Sequence, residues 1–376
     1  MDQNVLYHGQ RLTLTRFWAT GEPCLWITAP EQIGMPKMEF VGGHPDEYCI
    51  FLKNLTETEL AQITSLGGAP LDVREELRQF LTGKDNPMAL QDKKIMPPPW
   101  LAHREIERYS IGWRMGYGED YIDRFGDWLD TLSPEERTEY RTLFPEPVTW
   151  KGWWDDEDSS EVLEHGDFLV DAWQPEGQPK YTRQWLQQEF AAGRKRELCL
   201  FWGHQLSEDG QLTKSCLSQW WMEDFYTTAD SYLCMEQYMM AAKAELFGDK
   251  EIRDQILKCS DQKQIKALGR KVRGFEQKVW DKFKYAIVLL GNWHKFSQNR
   301  ELREFLLSTG DSVLVEASPY DAIWGIRLAA SSPEAQDPMK WRGQNLLGFA
   351  LMEVRDELRR VTQNEMLCDW STVWQQ

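Results

Sequence analysis

The amino-acid sequence predicts an α+β protein of two domains, the second of them predominantly helical with a few short strands. At 376 residues the chain is long enough for two domains, and its 41% hydrophobic content can fill their cores. Helical periodicity dominates after residue 180. Two breaks lie before it, a proline cluster at 93–100 and an acidic stretch at 153–161. We therefore expect a first domain at 1–165 and a second at 166–376.

The first domain is predicted to mix helices and strands in an arrangement of unknown type. Residues 45–55 are typical of a strand, and residues 71–83 form an amphipathic helix that ends at a glycine. Ser133 stands three residues before Glu136, which is the pattern of a capping box at the start of another helix. Six tryptophans could line a pocket but are more typical of core packing, so we assign this domain no activity: Trp100, Trp113, Trp128, Trp150, Trp153 and Trp154.

The second domain is predicted to hold several helices and two or three short strands. Asn345 is placed to cap the last helix. The predicted helices cover 181–193, 235–249, 250–259, 275–290 and 345–360, and the predicted strands cover 197–204 and 312–318.

The net charge of −17 is unevenly distributed along the chain. Residues 1–179 hold 16 basic and 33 acidic side chains, whereas residues 180–304 hold 21 basic and 17 acidic ones. The total argues against broad affinity for nucleic acid. The local basic excess suits an anionic, phosphate-bearing ligand.

Several absences in the sequence narrow the class of protein. No run of 18 apolar residues exists and the N-terminus has no signal-like segment, so we expect a cytoplasmic protein without a membrane partner. The seven cysteines form no C-x-x-C pair and the six histidines no H-x-x-x-H pair. We expect reduced thiols, no metal site and no cofactor.

The predicted helix at 235–249 carries an acid and a base on its apolar face. At 100° per residue, Glu236, Met239, Met240, Lys243 and Phe247 share one side. Glu236 and Lys243 are then about 10.5 Å apart along the axis, which is far for an ion pair but suitable for holding one ligand between them. The alternative is that Glu236 bonds to a backbone N–H and Lys243 reaches solvent.

Five sequence blocks in the C-terminal half resemble the NADAR family, whose bacterial members include YbiA-like N-glycosidases. The resemblance covers about residues 195–360. The blocks are LSQWW (217–221), YLCMEQYMMAAKAELFGD (232–249), LGRKVRGF with VWDKFKYAIV (268–275 and 279–288), LVEASPYDAIWGI (314–326) and WRGQNLLGFALMEVRDEL (341–358).

This resemblance implies a YbiA-like fold and an enzyme that cleaves the N-glycosidic bond between a ribose C1 and an amine. The substrate it implies is ADP-ribose linked to guanine in DNA, RNA or nucleotides. An alternative in the same family is the hydrolysis of ribosylamino-pyrimidine intermediates of riboflavin synthesis. Glu236 matches the family's catalytic glutamate, and Lys243 matches a lysine implicated in a Schiff base with the ring-opened sugar.

The same motifs nominate substrate-binding residues, several of which have structural alternatives. Arg270 could hold a phosphate or lie on a solvated basic face. Asp321 could bind ribose hydroxyls or cap a turn, and Asn345 could bind substrate or only cap its helix. Trp324 could stack on the ligand or pack in the core. The complete set is Ser218, Trp220, Tyr238, Gly269, Arg270, Trp280, Glu316, Asp321, Trp324, Gly325 and Asn345.

Two positions depart from the residues that are common in the family. Arg327 stands where members often have glycine, and Gln237 where YbiA-like members often have histidine. The change at Arg327 bears on substrate identity.

Two other classes of function are alternatives to the enzyme. The domain could be a non-catalytic ADP-ribose or NAD sensor, with the N-terminal domain binding a protein partner. A third possibility is an accessory of a toxin or phage-defence pathway that reverses base modification.

Overall fold

A computed structural model describes residues 3–16, 23–27, 37, 39–40, 48–66, 73, 90, 93–154, 179–204 and 211–373. The chain divides into two compact units, Met1–Lys93 and Lys94–Gln376.

The first unit contains a six-stranded antiparallel sheet in the order β4-β5-β3-β2-β1-β6. The β1–β2 hairpin turns at His8 and Gly9, which both have positive φ and match the right-handed twist of the strands. The predicted strand at 45–55 is confirmed over β5, whereas the predicted helix at 71–83 lies outside the described residues except for Val73, which is helical. The elements are β1 (Gln3–Tyr7), β2 (Gln10–Arg16), β3 (Pro23–Trp26), β4 (Glu39–Phe40), β5 (Tyr48–Phe51), α1 (Glu57–Leu60) and β6 (Thr64–Ser65).

The second unit is mainly helical, as the sequence predicts. Its helices are α2 (Pro99–Ala102), α3 (Tyr117–Asp130), α4 (Pro134–Leu143), α5 (Arg183–Ala191), α6 (Met235–Leu246), α7 (Lys250–Leu257), α8 (Gln262–Gly269), α9 (Gln277–Gln298), α10 (Arg300–Ser308) and α11 (Leu346–Thr362). Its strands are β7 (Leu198–Phe201), β8 (Phe225–Tyr226), β9 (Ser231–Tyr232) and β10 (Val313–Glu316). The predictions did not include α2, α3, α8, α10, β8 and β9.

Helix α9 runs through the centre of this unit. Every residue from 285 to 297 is buried, because α6, α10 and α11 pack around it. The parallel pair β7–β10 lies against α11. Lys295 of α9 is fully buried, and its Nζ atom donates hydrogen bonds to the carbonyl oxygens of Cys216 (2.7 Å) and Ser218 (3.0 Å). The lysine thereby fixes the loop that leads to α6.

The segment 94–154 packs with the C-terminal end of the chain. Arg104 is 2.6 Å from Glu365, and the backbone N–H of Val148 donates to Glu357 at 2.8 Å. These contacts lie within the second compact unit, which begins at Lys94. The predicted domain boundary at 165/166 lies outside the described residues and stays a prediction.

The same segment contains the predicted capping box and the six tryptophans considered as a possible pocket lining. Ser133 accepts a hydrogen bond from the Glu136 N–H, and the Glu136 carboxylate accepts one from the Ser133 N–H, which confirms the prediction. Five tryptophan rings pack on one another with centroids 5.2–6.5 Å apart: Trp100, Trp113, Trp150, Trp153 and Trp154. Core packing therefore accounts for them.

Candidate active site

Glu236 lies in the first turn of α6 and is almost completely buried. It is 3% exposed, and its backbone N–H donates to the Gln219 carbonyl oxygen at 2.8 Å. Among the described residues no hydrogen-bond partner meets its carboxyl group. Burial raises the pKa of this carboxyl to about 7; nearby Lys266 and Arg270 oppose the shift, and Asp321 adds to it. The group can therefore exchange a proton near neutral pH.

Lys243 lies two turns further along α6, in a partly aromatic environment. Its Nζ atom is 3.0 Å from the Gly269 carbonyl oxygen, 4.2 Å from the Phe275 ring centroid and 5.6 Å from that of Trp280. Burial lowers the pKa of the amine, and no carboxylate among the described residues pairs with it. A lysine with these surroundings becomes a neutral nucleophile more readily than an exposed one.

The C-terminal end of α8 lies beside both side chains. Gly269 allows the close approach, because a Cβ atom there would overlap the Met240 side chain of α6. Its carbonyl oxygen bonds to Lys243, and the following Arg270 is near enough to Glu236 to lower its pKa. Glu236 and Lys243 therefore both interact with residues at the C-terminal end of α8.

Lys266 is a site residue that the sequence predictions missed. Its Nζ atom lies 5.3 Å from the Trp220 ring centroid, and its charge acts on both Glu236 and Glu316. A signal was present, because Lys266 precedes Arg270 by four residues and so shares its side of a helix. That signal depends on recognising α8 as a helix.

Glu316, a partly buried residue, brings a second carboxyl group to the site from the end of β10. Its Oε2 atom is buried and has no hydrogen-bond partner among the described residues. Burial raises the pKa of this group to about 8, the carboxylates of Asp321 and Glu236 raise it further, and Lys266 opposes them. Glu236, Glu316 and Asp321 therefore interact electrostatically, and we call these three residues the acidic cluster.

The loop after β10 holds Asp321 and surrounds the backbone of Glu316. Asp321 Oδ1 accepts hydrogen bonds from the N–H groups of Ile323 (2.8 Å) and Trp324 (2.7 Å), so this oxygen caps a turn. Gly325 passes close to β10, because a Cβ atom at this position would lie 2.8 Å from the Glu316 carbonyl oxygen. Trp324 is buried in the core.

Asn345 holds β10 rather than capping α11. Its Oδ1 atom accepts from the Glu316 N–H and its Nδ2 atom donates to the Leu314 carbonyl oxygen, both at 2.9 Å. The residue is fully buried, has φ 58° and makes no side-chain bond to the first turn of α11. The expected side-chain cap is therefore corrected, because the amide is committed to the strand.

The remaining predicted residues lie in different surroundings. Ser218 is buried, and its hydroxyl oxygen accepts a hydrogen bond from the Trp220 N–H at 3.1 Å. The next residue, Gln219, accepts the hydrogen bond from the backbone N–H of Glu236. Tyr238 is packed in the core against Phe225 and Tyr232, because two residues along a helix turn it away from the Glu236 side. The structure does not bring Tyr238 together with the acidic cluster.

The two departures from the family pattern have distinct structural settings. Gln237 is buried, accepts from the Leu233 N–H at 2.8 Å and donates to the Ile256 and Cys259 carbonyl oxygens at 3.0 Å. It joins α6 to the end of α7 and faces away from Glu236. Arg327 is exposed and has φ 55°, a left-handed conformation that glycine adopts without strain.

The described residues offer neither a metal site nor a membrane span. In the part of the chain that the structure describes, no group of three or more His, Cys, Asp or Glu residues could hold a metal ion. No helix in those ranges has both the length and the apolarity needed to cross a bilayer.

Comparisons with known proteins cover the part of the chain that contains these residues. Residues 200–359 match the NADAR domain. N-glycosidase R617 of Acanthamoeba polyphaga mimivirus is 49% identical over 145 residues, which are 37% of this chain and 85% of that protein. N-glycosidase YbiA of Escherichia coli (strain K12) is 32% identical over 123 residues, covering 33% and 68%. The NMR structure of E. coli YbiA aligns with 44% of this chain and 86% of its own, at 26% identity and a TM-score of 0.35.

Proposed function

This chain belongs to the NADAR domain family, and from that membership we propose that it is an N-glycosidase, a hydrolase of the bond between C1 of a ribose and a nitrogen atom of a base. The observation that carries the proposal is the buried carboxyl group of Glu236. A buried polar group without a hydrogen-bond partner destabilises a fold. Its position in α6, two turns before Lys243, supports a chemical role.

The two side chains can divide the chemistry of C1–N cleavage. Positive charge develops at the sugar as the bond breaks, and a nearby carboxylate can stabilise that charge or transfer a proton. The neutral amine of Lys243 can attack C1 of the ring-opened sugar and form a Schiff base, which water then hydrolyses. The lowered pKa of Lys243 supports this role.

We propose ADP-ribose on a guanine-type base, in nucleic acid or nucleotides, as the substrate. Lys266 and Arg270 near Glu236 supply positive charge for phosphate groups, and the rings of Trp220 and Trp280 offer surfaces for stacking. Ribosylamino-pyrimidines are the alternative substrates, and they require the same C1–N cleavage.

The test is release of free ADP-ribose from guanine-linked ADP-ribose on DNA, RNA and nucleotides, with ribosylamino-pyrimidines assayed in parallel. Glu236→Gln and Lys243→Ala are expected to abolish turnover while far-ultraviolet circular dichroism stays unchanged. Glu245→Gln is the matched control, since Glu245 is exposed on the same helix and should leave turnover intact.

Two results would reject the proposal. One is no release from any substrate by the unmutated protein at high enzyme concentration. The other is full activity in both the Glu236 and the Lys243 variants. Tight binding of ADP-ribose in calorimetry without product on long incubation would favour a sensor instead.

A further inference from the structure

The acidic cluster contains the carboxyl groups of Glu236 and Glu316, whose surroundings differ in charge. Lys266 and Arg270 both act on Glu236, whereas of these two cations only Lys266 acts on Glu316. A cation stabilises the ionised form of a carboxyl group, and the neighbouring carboxylates destabilise it. When the pair holds one proton, that proton is therefore favoured on Glu316 and the negative charge on Glu236.

The backbone of Glu316 is held on both sides. Its N–H donates to Asn345 Oδ1 at 2.9 Å, and its carbonyl oxygen accepts from the Ile326 N–H at 2.9 Å. Gly325 is the residue whose missing side chain lets the loop approach that carbonyl oxygen. Such double anchoring fixes the origin of a side chain, which is the arrangement expected for a group that must meet a reacting atom.

The carboxyl group of Glu316 has no corresponding anchor. Its Oε2 atom is buried and no donor among the described residues meets it. By contrast, the carboxylate of the buried residue Glu353 accepts from the Tyr285 hydroxyl at 2.8 Å and the Lys180 N–H at 2.9 Å. A purely structural buried glutamate is expected to resemble Glu353. The Oε2 atom of Glu316 instead remains free to exchange a proton with a ligand.

We propose that Glu316 is the proton donor to the departing nitrogen and that Glu236 remains the ionised carboxylate that stabilises the sugar cation. The inference rests on the proposed N-glycosidase function. It assigns proton donation and charge stabilisation to two separate glutamates instead of to Glu236 alone. A pair of carboxyl groups with separated environments is a general way to obtain an acid and a base at one pH.

The step balances as follows. The C1–N bond breaks and its electron pair stays on nitrogen, which takes the proton from Glu316. The nucleophile, Lys243 or water, forms the new bond to C1. When water is the nucleophile, it adds its oxygen to C1 and returns one proton to the Glu316 carboxylate. When Lys243 is the nucleophile, Nζ gives a proton to the Glu316 carboxylate on attack; water then adds OH to C1 and a proton to Nζ as the C1–Nζ bond breaks. The net change is the addition of one water molecule across the C1–N bond.

The test uses the dependence of rate on the leaving group. Glu316→Gln should lower kcat by about 10²–10⁴-fold on guanine-linked ADP-ribose, the usual contribution of a general acid. On 4-nitrophenyl β-D-ribofuranoside, whose leaving group departs without protonation, the loss should be below about tenfold. Glu236→Gln should slow both substrates alike. Glu334→Gln, a surface change, should affect neither.

A second measurement requires no turnover. Infrared spectra at pH 7 should show a protonated carboxyl band that decreases in Glu316→Gln and persists in Glu236→Gln. A band of undiminished intensity in Glu316→Gln, or equal losses of that variant on both substrates, would overturn the assignment of Glu316. Inactivity of the unmutated protein on every substrate would reject the proposed function instead, and the infrared result would still decide where the proton lies.

Discussion

The Nζ atom of Lys243 donates a 3.0 Å hydrogen bond to the carbonyl oxygen of Gly269. The bond joins the middle of α6 to the end of α8 and leaves the other two hydrogens of an ammonium, or the lone pair of an amine, for a ligand. Helix packing and the position of the amine are thus linked.

Gly269 is expected to stabilise the protein by letting α6 and α8 pack closely. Gly269→Ala should lower the free energy of unfolding by about 1–3 kcal/mol, because the new methyl group overlaps Met240 and forces α6 and α8 apart. Gly126→Ala is the control: it lies in α3 with open space around it, so the change should stabilise by about 0.5–1 kcal/mol. Urea unfolding measures both. Equal effects would show that the α6–α8 contact tolerates a side chain.

Borohydride should trap a covalent sugar adduct on Lys243. Reduction during turnover of guanine-linked ADP-ribose converts a Schiff base into a stable secondary amine, and peptide mass spectrometry locates it. Lys243→Ala should prevent labelling, and Lys266→Met should retain it. A label on Lys266 would transfer the nucleophile to α8.

Stability should fall as pH rises through the range in which Glu236 and Glu316 ionise. The folded pKa values of Glu236 (about 7) and Glu316 (about 8) exceed the ordinary value of 4.5, so the stability they contribute is complete below pH 4.5 and is lost as pH rises through their folded pKa values. Glu316→Gln should reduce the loss between pH 5 and 8.5 by up to about 3 kcal/mol. Urea unfolding at the two pH values tests this. An unchanged pH dependence would contradict the coupling.

Asn345 is expected to act through Glu316. Asn345→Ala should lower kcat while leaving KM nearly unchanged, because the residue positions the acid and its amide groups are bonded to β10. Loss of two buried hydrogen bonds should also cost about 2–4 kcal/mol of stability. Steady-state kinetics below the unfolding temperature separates the effects. A rise in KM alone would indicate contact with substrate, which is one of the two roles that the sequence left open for this residue.

Arg327 is expected to carry backbone strain. Arg327→Gly should stabilise the protein by about 1 kcal/mol, because a side chain at φ 55° costs roughly that amount. Arg327→Ala keeps the Cβ atom and should give no gain, which separates strain from loss of charge. Thermal unfolding at one ionic strength measures the difference. A similar gain in both variants would implicate the charge.

The sequence predicted elements whose signals are local. The stripe on α6 follows from helical spacing alone, and the capping box at Ser133 follows from two residues three apart. Lys266 was missed because its relation to Glu236 exists only after α8 packs against α6. The role of Asn345 also depends on β10, because its Nδ2 atom donates to the carbonyl oxygen of Leu314, which lies 31 residues earlier in the chain. Contacts between distant segments have no periodic signature.

The contacts of residues 94–154 with the end of the chain have a practical consequence for recombinant work. A truncated protein limited to the family-matched span 200–359 would lack Glu365 and the whole tryptophan group, and Glu357 would lose its bond to Val148. Lys94–Gln376, the second compact unit, contains both sides of this packing. Deletion experiments that begin at residue 200 would measure the damage of truncation together with any loss of chemistry.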